Sequence, residues 1–203
     1  MANTIEMIKQ LREETGAGVL ACRRALEAAN TNYALALMDL REQAQAAAAK
    51  KSSQEATQGT VEVYSQSNGR IGVMVEINCE TDFASRSPAF RAFAHEIALQ
   101  IAAEAALYLH DEDIPPAVLD EQAQKAAARA RTEGKSAAIL ERIVEGYLKK
   151  YKNEHVLLRQ VYIRDEKMSV AQLLSQTIAS VGENIIIRRF VRWELGDSVA
   201  SAE

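Results

Sequence analysis

Residues 60–78, TVEVYSQSNGRIGVMVEIN, alternate apolar and polar side chains on both sides of a turn signal. β-branched residues favour strands, and an Asn-Gly pair favours a tight turn between two antiparallel strands. The stretch therefore predicts a β-hairpin in a chain whose other segments are mostly helical in pattern. This hairpin is the feature that excludes an all-helical fold.

The register of the hairpin can be predicted from its apolar faces. A two-residue turn would place Val61 opposite Glu76 and mix apolar and charged side chains on one face. A three-residue loop, 67–69, with Gly69 in the left-handed conformation would pair Val61 with Val75 and gather the apolar side chains of both strands on one side. Because a shift of one residue inverts a face, we predict the three-residue loop.

Helical patterns lie on both sides of the hairpin. Three short amphipathic segments in residues 1–45 predict a three-helix module, and the Ser/Gln/Thr-rich residues 46–59 predict a linker. Residues 60–203 predict a core in which the hairpin and a third strand, within 184–195, form a small antiparallel sheet packed with helices. The expected fold class is therefore α+β.

The composition excludes several classes of protein. The 203 residues carry a net charge of −4, so we expect no direct nucleic-acid partner, because phosphate contacts need an excess of Lys and Arg. Two cysteines, Cys22 and Cys79, are too few for a disulfide framework and lack the spacing of zinc ligands. We find no stretch of about 18 apolar residues and no apolar signal-peptide core. We expect a cytoplasmic protein that does not bind membranes.

Residues 78–87, NCETDFASRS, place two carboxylates and an aromatic ring in one loop after the hairpin. Glu80 and Asp82 could hold a metal ion, but two carboxylates without a third protein ligand make a weak site. Thr81 or Asp82 could instead cap a turn that buries Phe83 in the core. Alternatively, Phe83 lies at the surface and inserts into another molecule. The residues alone leave these alternatives open.

Two further patterns suggest chemistry that their surroundings do not support. Cys79 beside Glu80 could be a nucleophile, but a neighbouring carboxylate raises the pKa of a thiol, and a reactive thiol needs a lowered one. Gly134-Lys135-Ser136 matches the end of a phosphate-binding loop, but Arg129 stands where that loop needs its first glycine. We interpret the triplet as the end of one helix and the cap of the next. We expect no cofactor and no metal of the protein's own.

Four long segments resemble the elongation factor Ts family and follow one another in the family's order. They are LREETGAGVLACRRALEAANTNYALALMDLRE (11–42), EINCETDFASRSPAFRAFAHEIALQIAA (76–103), EGKSAAILERIVEGYLKKY (133–151) and SVAQLLSQTIASVGENIIIRRFVRWEL (169–195). The resemblance covers nearly the whole chain, and motifs of this length are specific.

The resemblance implies a guanine-nucleotide exchange factor that acts on elongation factor Tu, the GTPase that delivers aminoacyl-tRNA to the ribosome. It is not an enzyme, since exchange involves no covalent chemistry. In the family the N-terminal helices resemble a ubiquitin-associated (UBA) domain and dock on the GTPase. The family's Thr-Asp-Phe-Val loop, here Thr81, Asp82, Phe83 and Ala84, inserts beside the nucleotide and disturbs the bound Mg²⁺.

The resemblance has three further consequences for this chain. Short family members pair, which implies a homodimer, and we expect its interface near the strand 185–193. Partner contacts are also predicted in the docking module around TGAGV, at Lys9, Arg12, Val19 and Leu20. The sequence departs from the family at Ala84, where Val is usual, and at Thr31, where Gly is common.

The alternative functions are a non-catalytic protein-binding adaptor and a thiol enzyme that uses Cys79 with Glu80.

Overall fold

The computed structural model describes residues 2–133 and 137–197. Its helices are α1 (Ala2–Thr15), α2 (Val19–Ala28), α3 (Tyr33–Lys51), α4 (Asp82–Ser85), α5 (Pro88–Glu104), α6 (Pro116–Thr132), α7 (Ala137–His155) and α8 (Val170–Val181). Its strands are β1 (Gln58–Ser65), β2 (Ile71–Cys79), β3 (Val161–Tyr162), β4 (Asp165–Ser169) and β5 (Ile185–Glu194). The predicted α+β class is confirmed. The interpreted triplet Gly134-Lys135-Ser136 lies outside the described residues.

The chain forms two compact units. The first unit contains the described residues up to Leu99 and those from Ala171 onward, and the second unit is Gln100–Val170. The predicted core, 60–203, therefore contributes to both units. Helix α3 continues to Lys51, so part of the segment predicted as a linker, 46–59, is helical. In the described ranges, no helix combines the length and the apolar character needed to cross a membrane.

Helices α1, α2 and α3 pack around a small apolar core of their own. Helix α3 begins after Asn32, whose side-chain oxygen accepts the N–H of Leu35 at 3.2 Å. Ala25 of α2 and Ala36 of α3 are both buried in this core. The core consists of Leu11, Cys22, Ala25, Leu26, Ala36 and Leu40.

The connection between α2 and α3 has a left-handed backbone. Asn30 has a φ of 49° and Thr31 a φ of 62°. Such angles suit glycine and are costly for a β-branched residue, by about 1–3 kcal/mol. The N–H of Thr31 nevertheless donates to the carbonyl oxygen of Leu26 at 2.8 Å, which ends α2. Thr31, where the family commonly has Gly, therefore keeps the turn but holds its backbone in a strained conformation.

Strands β1, β2 and β5 form an antiparallel sheet in the order β1-β2-β5, which confirms the predicted third strand. The predicted register of the hairpin is wrong. Val61 pairs with Glu76 and Val63 pairs with Met74, as in the register that we rejected. Each residue of β1 therefore faces a residue one position away from the expected one.

The loop of the hairpin explains how this register closes. The N–H of Gln66 donates to the carbonyl oxygen of Ile71 at 2.9 Å, and the N–H of Gly69 donates to that of Gln66 at 2.8 Å. Residues 67–70 form the loop, and the φ of 68° confirms the left-handed conformation of Gly69. The prediction failed because it assumed that only one face of the hairpin is apolar.

Both faces of the sheet carry apolar side chains. Val73, Val75 and Ile77 are buried on the inner face. Helix α5 lies on that face, where Nδ1 of His95 is 3.1 Å from Oε1 of Glu62. The side chains on the opposite face are substantially exposed, and we call this surface the outer sheet face. Its apolar members are Val61, Val63, Met74, Val191 and Trp193.

The second unit contains the packed pair α6 and α7 and a two-stranded sheet, β3 and β4. Two buried glutamines join its segments. Nε2 of Gln100 donates to Oε1 of Gln160 at 3.1 Å, and Nε2 of Gln160 donates to the carbonyl oxygen of Glu154 at 2.8 Å. These buried amides are satisfied by hydrogen bonds, as a stable interior requires.

An ion cluster also joins segments of the second unit. Nε of Arg159 donates to Oδ1 of Asp111 at 2.5 Å, and Nζ of Lys152 donates to Oδ2 at 3.2 Å. Partial burial would raise the pKa of Asp111, but the hydrogen bonds and charges of Arg159 and Lys152 outweigh burial and lower it. A carboxyl with a lowered pKa stabilises the fold above its unfolded pKa, about 3.9, and loses that contribution as the pH falls through its folded pKa.

Replacing Asp111 with Asn is therefore expected to reduce the free energy of unfolding by about 1–2 kcal/mol at pH 7. The difference should shrink below about pH 4, where the wild-type carboxyl takes up a proton. Urea denaturation at a series of pH values measures both effects. Glu121→Gln is the control, because Glu121 pairs with Lys125 on an exposed surface and should matter little. A difference that does not change with pH would contradict the assignment.

Candidate functional site

The segment after β2 forms one turn of helix, α4. Thr81 is its N-cap, and Oγ1 of Thr81 accepts the N–H of Ala84 at 3.2 Å. The Oγ of Ser85 donates to the carbonyl oxygen of Asp82 at 2.7 Å. Of the two capping residues considered from the sequence, Thr81 is therefore the one that caps the turn. We call residues 81–84 the tip.

Phe83 projects from the tip into solvent. Its side chain is 83% exposed, whereas Ala84 and Ser85 on the other side of the turn are 3% and 8% exposed. The alternative in which Phe83 is buried in the core is therefore wrong. A phenyl ring left in water forgoes about 1.5–3 kcal/mol that burial would provide, which is unusual without a partner to cover it.

Asp82 places a carboxylate beside this ring. Its side chain is 66% exposed, and Oδ2 lies 3.2 Å from the guanidinium of Arg86 on the same turn. An exposed pair of this kind contributes little to stability, so the carboxylate can exchange Arg86 for another cation at low cost. The tip thus presents an apolar ring and a negative charge together.

Two glutamates hold the base of the tip. Glu183 accepts the Thr81 N–H at 2.9 Å through Oε2 and the Thr81 hydroxyl at 2.6 Å through Oε1. Oε1 of Glu80 accepts the backbone N–H of Asn184 at 2.5 Å. Sequence reasoning missed Glu183 and Asn184. The sequence feature that points to them is Gly182, which ends α8 and so places both residues in the short connection before β5.

The structure does not favour a metal site at Glu80 and Asp82. The Glu80 carboxylate is already bonded to Asn184, and Nζ of Lys51 lies 3.9 Å from it. Asp82 is paired with Arg86 on the exposed side of the turn. Among the residues that the structure describes, no group of three or more His, Cys, Asp or Glu side chains could hold a metal ion.

Cys79 is fully buried at the end of β2, and its Sγ donates to the carbonyl oxygen of Thr81 at 3.1 Å. Burial raises the pKa of Cys79, and the charges of Glu183 and Glu80 raise it further. The thiol therefore stays protonated at neutral pH and is inaccessible, which is the opposite of what a nucleophile needs. This environment fits a structural thiol.

The partner contacts predicted in the helical module lie on two helices. Lys9 and Arg12 are exposed on α1. Val19 and Leu20 form the first turn of α2, and their side chains are 51% and 67% exposed. The two apolar residues therefore do not belong to the core of the module and are free to contact another molecule.

Known proteins provide an independent comparison. The family model described as "Elongation factor TS" matches residues 23–197. The Elongation factor Ts of Carboxydothermus hydrogenoformans is 48% identical over 98% of this chain and 92% of its own length. The Elongation factor Ts of Rubrobacter xylanophilus is also 48% identical, over 96% of this chain and all of its own. The chain belongs to the elongation factor Ts family of translation elongation factors.

Proposed function

We propose that this protein is a cytoplasmic guanine-nucleotide exchange factor for elongation factor Tu, and that it acts without covalent chemistry. The observation that carries the proposal is the exposure of Phe83 on a capped turn whose other side is buried. Such a side chain costs free energy in isolation and gains free energy when it enters an apolar site on a partner.

The tip supports a mechanism in which the disturbed metal belongs to the partner. A GTPase holds its nucleotide through backbone N–H groups, a lysine and an Mg²⁺ ion that neutralises phosphate charge. The Phe83 ring enters the partner beside this site, and its burial, worth up to about 1.5–3 kcal/mol, offsets the movement of partner groups. Asp82 brings a negative charge that attracts the cation and repels phosphate. Once Mg²⁺ is displaced, phosphate repulsion is uncompensated and GDP leaves.

Exchange by this route is reciprocal. If the factor weakens GDP binding tenfold, GDP weakens factor binding tenfold, and each change is about 1.4 kcal/mol. The factor therefore leaves when a nucleotide rebinds. It does not select GTP over GDP, because the relative concentrations of the two nucleotides decide which one enters.

The helical module supplies the second part of the proposed interface. Val19 and Leu20 offer exposed apolar surface at the start of α2, and Lys9 and Arg12 offer positive charge on α1. Together they form a mixed patch of the kind that docks on a protein partner. In this scheme the UBA-like module provides affinity, and the tip provides exchange.

We also propose that two copies of the chain pair through the outer sheet face. Val63, Met74 and Val191 are directly paired across β1, β2 and β5, and all three are exposed. Trp193 extends this apolar row along β5 and is 71% exposed. A second copy offers the same surface, so two-fold pairing would bury both apolar faces at once.

The test is the rate at which fluorescent GDP leaves elongation factor Tu with and without this protein. Faster release supports the exchange function. Release at the spontaneous rate, together with stable binding to the GTPase, would instead support the adaptor.

A further inference from the structure

The orientation of the tip depends on residues from the far end of the chain. Thr81 is held by the two carboxylate oxygens of Glu183 at 2.9 and 2.6 Å, and these two residues are 102 positions apart in sequence. A carboxylate that accepts both a backbone N–H and a hydroxyl fixes the position and the direction of the group it binds. Because the Thr81 hydroxyl donates its proton to Glu183, its oxygen is free to accept the N–H of Ala84.

A second contact runs in the opposite direction between the same two segments. Glu80 accepts the backbone N–H of Asn184 at 2.5 Å, while Glu183 accepts the backbone N–H of Thr81. Asn184 is itself 3% exposed, and its Nδ2 donates to the carbonyl oxygen of Gln54 at 2.7 Å. The two segments are therefore locked to each other and to the chain that follows α3.

Local structure alone would not hold Phe83 in place. Helix α4 spans only Asp82–Ser85, and one turn of helix is unstable by itself in water. The Phe83 side chain cannot help, because it is 83% exposed and packs little against its own protein. The direction of the ring thus depends on the position of Thr81, which caps the turn, and two hydrogen bonds to Glu183 fix that position.

We propose that Glu183 is a positioning residue for exchange: it holds Thr81 so that the turn presents Phe83 to the GTPase in one orientation. The proposal rests on the exchange function proposed above. Gly182, with a φ of 80°, ends α8 and directs Glu183 towards Thr81. The ordered tip meets the partner without first losing conformational freedom, which raises the rate at which a docked factor expels GDP.

The first test compares Glu183→Ala with the wild type in the release of fluorescent GDP over a range of factor concentrations. We expect the maximal release rate to fall about tenfold, because a misplaced group loses its effect on a reacting site. The half-saturating concentration should change less, since the helical module still docks. Glu183→Gln retains one acceptor and should recover part of the rate, and it provides a second variant if Glu183→Ala folds poorly.

The decisive test is a double-mutant cycle with Phe83. If Glu183 acts by positioning the ring, Glu183→Ala should not slow release further once Phe83 is already Ala. A purely structural role would slow both backgrounds by the same factor, and that result would overturn the proposal.

A matched control separates this role from general loss of a capping carboxylate. Asp113 accepts the N–H of His110 at 2.8 Å at the start of a short 3₁₀ turn in the second unit. Asp113→Ala should leave the maximal release rate unchanged. If Phe83→Ala slows release but Glu183→Ala does not, the positioning role fails and the exchange function stands. If the wild type does not accelerate release at all, the exchange function fails, and the positioning role fails with it.

Discussion

Replacing Phe83 with Ala is expected to slow factor-stimulated release of fluorescent GDP by about tenfold or more at saturating factor. Burial of a phenyl ring contributes about 1.5–3 kcal/mol. Since about 1.4 kcal/mol corresponds to a tenfold change, losing this contribution should slow release by at least about tenfold. The fold should not change, since the ring is 83% exposed and supports little of its own protein. Stopped-flow fluorescence measures the rate, and thermal denaturation checks the fold.

Leu107→Ala is the matched control for this substitution. Leu107 is another exposed apolar side chain, at 59%, but it lies in the second unit and outside the tip. Its removal should leave the release rate unchanged. Phe83→Leu should keep part of the activity, because leucine restores apolar surface without the ring. An unchanged rate for Phe83→Ala would remove the ring from the mechanism.

A charge on the outer sheet face is expected to convert the protein from a dimer into a monomer. Light scattering of the wild type should give about twice 22.3 kDa, and Val191→Glu should give the single-chain mass. In a two-fold interface each substitution occurs twice, so two unpaired carboxylates would be buried together. A penalty of about 3–5 kcal/mol weakens the dimer by a factor of about one hundred to several thousand.

The tryptophan of the outer sheet face provides a second readout of the same prediction. Trp193 is the only tryptophan in the sequence, and it lies on the same face as Val191. In a dimer its emission should be blue-shifted, and it should move to the red on dilution or in Val191→Glu. Ile139→Glu is the control, because Ile139 is an exposed apolar residue of α7. A wild type that is monomeric at micromolar concentration would refute the pairing.

Several elements follow from local sequence alone, because their signals are local. Asparagine favours the N-cap position, and Asn32 caps α3. A Ser-Pro pair favours the start of a helix, and α5 begins at Pro88 with Oγ of Ser87 accepting the N–H of Phe90 at 3.2 Å. The left-handed Gly69 is confirmed by its φ. Asn32 and Ser87 each accept a backbone N–H within their own turn, and Gly69 adopts its left-handed φ without a side chain to oppose it.

The features that sequence reasoning missed depend on distant parts of the chain. The predicted hairpin register is wrong because it places all the apolar side chains on one face, whereas Val61 and Val63 lie on an apolar outer face. Strands β3 and β4 are short, and Asp165–Ser169 shows no clear alternation of apolar and polar residues. The burial of Phe83 could not be predicted from the sequence, because α4 has four residues and a pattern of apolar and polar positions needs a longer segment. Glu183 could not be identified as a partner of Thr81, because its bonds to Thr81 join residues 102 positions apart in the sequence.

The most direct test of the central claim is a titration of this protein into elongation factor Tu that carries fluorescent GDP, with excess unlabelled GDP as the trap. We predict that the release rate rises with the concentration of the protein and then saturates, and that Phe83→Ala lowers the plateau. A release rate that stays at its spontaneous value at every concentration would contradict the account.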